Sequence, residues 1–124
     1  MKRPFPILIL AGLFAAAPGG VPAMNLTPLL QDTPAQLFTV QDYGLFDVAL
    51  KKALDEARQA EVVQWENPET RAGGSVTVVQ EYQREGNACK RLRIDNRAGQ
   101  RVGYSVFDFC RQADGRWVLA PMGQ

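Results

Sequence analysis

Residues 89–110 read CKRLRIDNRAGQRVGYSVFDFC. Leu92 and Ile94 alternate with Arg91, Arg93 and Asp95, and Phe107 and Phe109 alternate with Val106 and Asp108. A period of two marks a strand with one buried face. Between the two runs, Asn96–Arg101 carries turn residues. If Cys89 and Cys110 bridge directly across neighbouring strands, opposing residue numbers sum to 199. Ala98 then faces Arg101, and Gly99-Gln100 becomes a two-residue turn with glycine first, as a type II′ hairpin requires. Counting back from that closing pair, hydrogen-bonded and non-bonded pairs alternate, and Cys89–Cys110 falls on a non-bonded pair. Cα atoms there lie ~4.5 Å apart, inside the span of a disulfide. Turn chemistry and bridge geometry therefore agree without either being adjusted to the other.

The same register sorts the side chains. Leu92, Ile94, Phe107 and Phe109 share a face, assigned to the core. Cys89, Arg91, Arg93 and Asp108 share the opposite face, with Arg91 directly across from Asp108. Outward from this hairpin, Glu61–Trp65, Ser75–Gln83 and Arg116–Ala120 read as further strands beside Ala88–Asp95 and Val102–Arg111. Turn chemistry separates them at Asn67–Gly74, Arg84–Asn87 and Asp114-Gly115. A tight Asp114-Gly115 turn would put Trp117 and Leu119 on the disulfide face. Either a bulge near Gln112–Arg116 returns them to the core, or Trp117 covers the disulfide from outside.

Ahead of the strands the period is helical. Phe46, Leu50, Ala53, Leu54 and Ala57 recur at spacings of three and four, while Asp47, Lys51, Asp55 and Arg58 fall opposite. Thr39 and Asp42 have capping-box spacing. The pattern predicts a helix from Val40 to Gln59. The fold expected is α+β: one N-terminal amphipathic helix packed on a four- to five-stranded antiparallel meander sheet.

The N-terminus has its own logic. Lys2 and Arg3 precede an apolar run over Phe5–Ala17, then Ala-Pro-Gly-Gly, then Val21-Pro22-Ala23 with small residues. Residues 1–23 read as a secretory signal peptide, since the run is too short for the ~20 residues a membrane span needs. Residues 24–38 read as a loosely ordered leader, with one short helical turn around Pro28–Gln31. Loss of Lys2 and Arg3 changes the net charge of the 124-residue chain from +1 to −1, a poor balance for binding nucleic acid. The chain holds no histidine, which excludes Ser–His or Cys–His catalysis and any His-ligated metal. Its two cysteines are too few for an all-cysteine zinc site, and no cofactor motif is present. Export makes a Cys89–Cys110 disulfide the default. Two reactive thiols flanked by Lys90, Arg91 and Arg111 are the alternative.

Several motifs together resemble one family. They are Trp65-Glu-Asn67-Pro68-Glu-Thr70, Gly74-Ser-Val76-Thr77, Cys89-Lys90-Arg91, Asn96-Arg97-Ala98 and Cys110-Arg111-Gln-Ala-Asp114-Gly115-Arg-Trp117. Over about Leu45–Leu119 the chain is similar to the C-terminal domain of the 17 kDa surface antigens of Gram-negative envelopes. The resemblance implies an envelope-associated, non-enzymatic module, with residues 39–124 as its α+β domain. Antigens of that family are often lipoproteins with a glycine-rich, membrane-associating segment. This sequence shows no lipidation cysteine and no glycine-rich tract, which points to a soluble periplasmic form.

The candidates for function are few. Lys90, Arg91, Arg93, Arg97 and Arg101 form the one basic cluster, fit either for an anionic envelope surface or acidic partner, or simply for a solvated strand face that discourages edge pairing. Trp65, Tyr82, Tyr104 and Trp117 line a groove or fill the core. Glu66 and Glu69 are a carboxylate pair without a basic or nucleophilic partner. The expected function is an exported structural or protein- or anion-binding module of the periplasm. An accessory subunit or inhibitor docking on an envelope enzyme, and a thiol–disulfide redox protein using Cys89 and Cys110, are the alternatives.

Overall fold

The computed structural model describes residues 33–121. The expected signal peptide and the helical turn at Pro28–Gln31 lie outside the described residues. Helix α1 spans Val40–Asp55. Thr39 Oγ1 accepts the Asp42 N–H at 3.1 Å, and Asp42 Oδ2 accepts the Thr39 N–H at 2.9 Å, so the capping box forms as its spacing predicts. Phe46, Leu50, Ala53 and Leu54 are buried on one face, joined by Ala49. Removing a leucine such as Leu50 from water contributes roughly 2–3 kcal/mol. Asp47 and Lys51 pair at 2.9 Å on the other face.

The helix stops at Asp55, short of the expected Gln59, because the chain must turn into the sheet. Ala60, at φ 73°, directs its N–H to the Val78 carbonyl at 2.7 Å, and Glu61 accepts the Val78 N–H at 3.0 Å. Ala57 stays buried beyond the helix end.

Five strands follow: β1 Val62–Glu66, β2 Gly73–Arg84, β3 Asn87–Ala98, β4 Arg101–Arg111 and β5 Trp117–Ala120. They form one antiparallel sheet in sequence order, a meander with α1 on one face. Glu85 and Gly86 both take positive φ (52° and 81°), the form a two-residue I′ turn demands. Gly99 takes φ 60° in the next turn, with Ala98 opposite Arg101. Every β3–β4 pair follows the expected register, from that closing pair to Cys89 opposite Cys110. The disulfide forms there, with Cα atoms 4.1 Å apart.

The last hairpin resolves the open question about Trp117. Gln112 donates to the Arg116 carbonyl at 2.7 Å and accepts from Gly115 at 2.9 Å, with Gly115 at φ 88°. Three residues, not two, therefore turn the chain, and Arg111 pairs with Trp117. The extra residue returns Trp117 and Leu119 to the core face. There the Trp117 indole donates to Asp55 Oδ1 at 3.0 Å.

Strand β2 carries a bulge that the period-two reading does not reveal. Up to Val78 its register with β3 is regular; then Val79 is skipped and Gln80 opposes Arg91. An extra residue reverses which side chains face the core. Val76 and Val78 point into the core, whereas beyond the bulge Tyr82 lies on the disulfide face, opposite Cys89.

Asp42 ties the helix to the β1–β2 connection. Its Oδ1 accepts from Asn67 Nδ2 and from Thr70 Oγ1, both at 2.7 Å. Burial pushes this carboxyl up, but the bonds from Thr70, Thr39 and Asn67 outweigh that and leave it below its ordinary value. In front of α1, Pro34–Leu37 forms a 3-10 helix whose Ala35 carbonyl accepts the Tyr43 hydroxyl at 2.7 Å. Ala35 and Phe38 are core residues, and the Phe38 ring meets Trp65 edge-on at 5.1 Å. Packing thus begins within the stretch that reads as a loose leader.

Candidate functional site

The face of the sheet opposite α1 carries the side chains that sequence reasoning singles out. Arg91, Arg93 and Arg97 alternate along β3 and so project from this one face. Each meets an acid. Arg91 makes a two-pronged bond to Asp108, Nε–Oδ1 2.8 Å and Nη2–Oδ2 3.1 Å. Arg93 bonds Asp95 at 3.0 and 3.2 Å and lies 4.2 Å over the Tyr104 ring. Arg97 stands 3.9 Å from Glu66. Arg101 sits at the hairpin tip and donates to Gln36 Oε1 at 3.3 Å.

Lys90 is not part of this group. It is 8% exposed and lies on the helix side of the sheet. Its ammonium donates to the Ala53 and Ala57 carbonyls at 3.1 and 2.6 Å and stands 5.6 Å from the Trp117 ring centroid. A cation is favoured there because the last carbonyls of a helix lack partners and form its negative end. Burial lowers the Lys90 pKa, and Glu81 and Asp55 partly restore it. The period-two signal was available: Lys90 stands two residues before Leu92, on the face already assigned to the core.

Beside the arginines lies a fully buried carboxylate. Asp108 accepts from Arg91 and, at 2.6 Å, from the Tyr82 hydroxyl. Burial pushes Asp108 up, yet the bonds from Arg91 and Tyr82 hold it below the usual carboxylate range. Burial, then the Asp108 bond, raises the Tyr82 phenol. Sequence reasoning finds the Arg91–Asp108 pair through the register. It misses Tyr82, which the two-residue Glu85-Gly86 turn sets opposite Cys89, while the bulge at Val79 lets Val76 and Val78 face the core.

An open trough of about 910 Å³ runs across this face from β1 to β4, lined by Gln64, Glu66, Ser75, Asp95, Arg97 and Tyr104. Val62, Val102 and Tyr104 are exposed on the same face of the sheet. The four aromatic residues considered for a groove are split by the sheet. Trp65 and Trp117 belong to the core, and Tyr82 and Tyr104 to the open face. Glu66 and Glu69 do not act together, since Glu66 faces Arg97 while Glu69 is exposed in the turn. Among the described residues no cluster of three Asp, Glu, Cys or His stands ready for a metal ion. No helix among them is long and apolar enough to cross a membrane. Both bridged cysteines are buried, so neither sulfur is open to the attacking thiolate that disulfide exchange needs.

Residues 52–118 match the family described as the 17 kDa outer membrane surface antigen. The chain belongs to this family. The match runs from the second half of α1 into β5, and so takes in the disulfide, the Arg91–Asp108–Tyr82 group and the whole open face. Two curated relatives, the 17 kDa surface antigens of Rickettsia bellii strain RML369-C and of Rickettsia bellii, are each 31% identical over 80 residues. That alignment covers 64% of this chain and 50% of each relative, so the chain spans about half the length of the curated relatives it matches. No solved structure matches. Membership in a surface antigen family puts the protein with the cell envelope.

Proposed function

We propose that the protein is an exported, non-enzymatic module of the periplasm that binds a protein partner through the open face of its sheet. One observation carries this reading: the face opposite α1 exposes Val62, Val102 and Tyr104 among arginines already matched by Asp95, Asp108 and Glu66. A mixed face of exposed apolar side chains and internally neutralised charge suits another protein better than a sheet of phosphates. A phosphate surface would attract a surplus of positive charge, and here Arg91 is committed to Asp108 while Lys90 is buried. Arg93, Arg97 and Arg101 remain at the surface as rim contacts. The buried disulfide, which clamps β3 to β4 beneath this face, serves as a structural brace in this reading, not as a redox centre.

A photo-crosslinking residue in place of Gln64, on the trough, is expected to give a discrete heavier adduct in cells. The same residue in place of Val48, exposed on α1, is expected to give none. Equal adducts from both positions, or from neither, would remove the reading. Binding of the purified protein to anionic vesicles at physiological salt would replace it with the membrane-surface alternative.

A further inference from the structure

Strand β4 is only partly covered on its outer edge. β5 pairs with Asp108–Arg111 alone, leaving Arg101–Phe107 bonded to β3 on one side and to no strand on the other among the described residues. The phase of the ladder shows which groups are free. Cys89 and Cys110, with Cα atoms 4.1 Å apart, are a close, non-bonded pair, so the N–H and C=O of every second β4 residue point away from β3. Cys110 and Asp108 turn theirs toward β5. Val106, Tyr104 and Val102 turn theirs outward, where no described residue receives them.

Edges of this kind are normally blunted by shortness, charge, proline or a bulge. The other two outer strands, β1 and β5, are short, at five and four residues. Val102–Phe107 has none of these protections. Its side chains on the open face are exposed, Val102 at 79% and Tyr104 at 64%. The sequence Val102-Gly-Tyr104-Ser-Val106 also reads nearly the same in both directions: valine, small, tyrosine, small, valine.

We propose that this edge pairs with the same edge of a second copy of the chain, antiparallel about a twofold axis at Tyr104. In that register Tyr104 opposes Tyr104, and each Val102 opposes Val106 of the other copy. These are the residues whose backbone groups point outward, so each of the three pairs exchanges two hydrogen bonds in phase. Gly103 and Ser105 oppose one another on the helix side, where Pro34 lies so close over Gly103 that a Cβ there would stand 3.3 Å from its ring. No like charges meet along the pairing. The two sheets become one continuous sheet, and both open faces lie on the same side of it. The pairing uses main-chain groups of an edge whose side chains Val102 and Tyr104 also belong to the open face of the partner-binding reading above, and its test is separate from the crosslink at Gln64, three strands away on β1.

The test is sedimentation velocity of the purified protein, in its natural processed form, over a concentration series. The wild type is expected to pass from monomer to dimer in the micromolar range. V102K/V106K sets lysine opposite lysine at both ends of the pairing and is expected to weaken association at least ~10-fold. V102K/V106E sets lysine opposite glutamate at both ends and is expected to restore it. V48K, on the exposed side of α1, is expected to change nothing. The single V102K, at a site already mostly in water, gives the same direction if the double variant folds poorly. A wild type that stays monomeric to ~1 mM overturns the proposal and leaves the edge to a strand of another protein. A dimer indifferent to V102K/V106K overturns the edge, and one that V102K/V106E does not restore overturns the register.

Discussion

The ammonium of Lys90 lies 2.6 Å from the carbonyl oxygen of Ala57, fastening the end of the helical segment to the middle of the sheet. Truncation to Ala removes a donor from two carbonyls in a buried place and also the stem that packs beside Trp117. Lys90→Ala is expected to cost ~2–4 kcal/mol in urea unfolding, because stranded buried acceptors lose their full desolvation energy. Arg93→Ala, which breaks an exposed ion pair with Asp95 and a contact over the exposed Tyr104 ring, should cost less, about 1–2 kcal/mol. Equal losses would show that Lys90 is no more than a surface charge.

The helix face can be tested in the same way. Leu50→Asp puts an unpaired charge where the side chain is fully buried and should cost ~4 kcal/mol or leave the chain unfolded. Lys51→Asp alters an exposed pair with Asp47 and should cost less than about 1 kcal/mol. Thermal melts of the two variants measure the difference.

Acid stability should follow Asp108 and Asp42. Both carboxyls lie below their ordinary value of 3.8 in the folded chain. The unfolded chain therefore binds more protons as the pH falls through that region. Stability from these groups is complete above about pH 5 and is lost as the pH falls through 3.8 toward the folded values. Asp108→Asn should flatten the acid limb of a stability–pH curve while lowering stability at pH 7. An unchanged acid limb would mean that the Arg91–Asp108–Tyr82 group does not hold the proton equilibrium.

Reduction of Cys89–Cys110 should lower stability by ~3 kcal/mol, chiefly by freeing a closed loop of about 20 residues in the unfolded chain. The strands should survive, because the register also rests on the Gly99 turn and on Arg91–Asp108. Amide exchange in reduced protein that showed β3 and β4 unpaired would assign the register to the disulfide alone.

Much of this was legible because independent constraints coincided. The cysteine spacing and the Gly99-Gln100 turn demanded one β3–β4 register, and helical spacing from Phe46 to Ala57 demanded one buried face. Features set by a single residue of length were not legible. A two- or a three-residue turn at Asp114-Gly115 reads alike, yet decides which way Trp117 points. The run Val76-Thr77-Val78-Val79 puts valine at both parities, so it could not show that one valine stands outside the ladder. In the site, charge type was a poor guide to place. Lys90 resembles its arginine neighbours in sequence, but strand parity puts it on the other side of the sheet, where a long stem and a compact ammonium can reach the helix end.

Val79 is exposed and touches no functional group, so many amino acids could replace it at little cost. Deleting it would close the bulge: Gln80 would follow Val78 directly in the ladder, still opposite Arg91, with Glu81 opposite Lys90 and Tyr82 opposite Cys89. The pairs on either side are held by β3, so this position is open to change in length as well as in chemistry. Among relatives, the letter at this point and the presence of the residue itself are both free to drift.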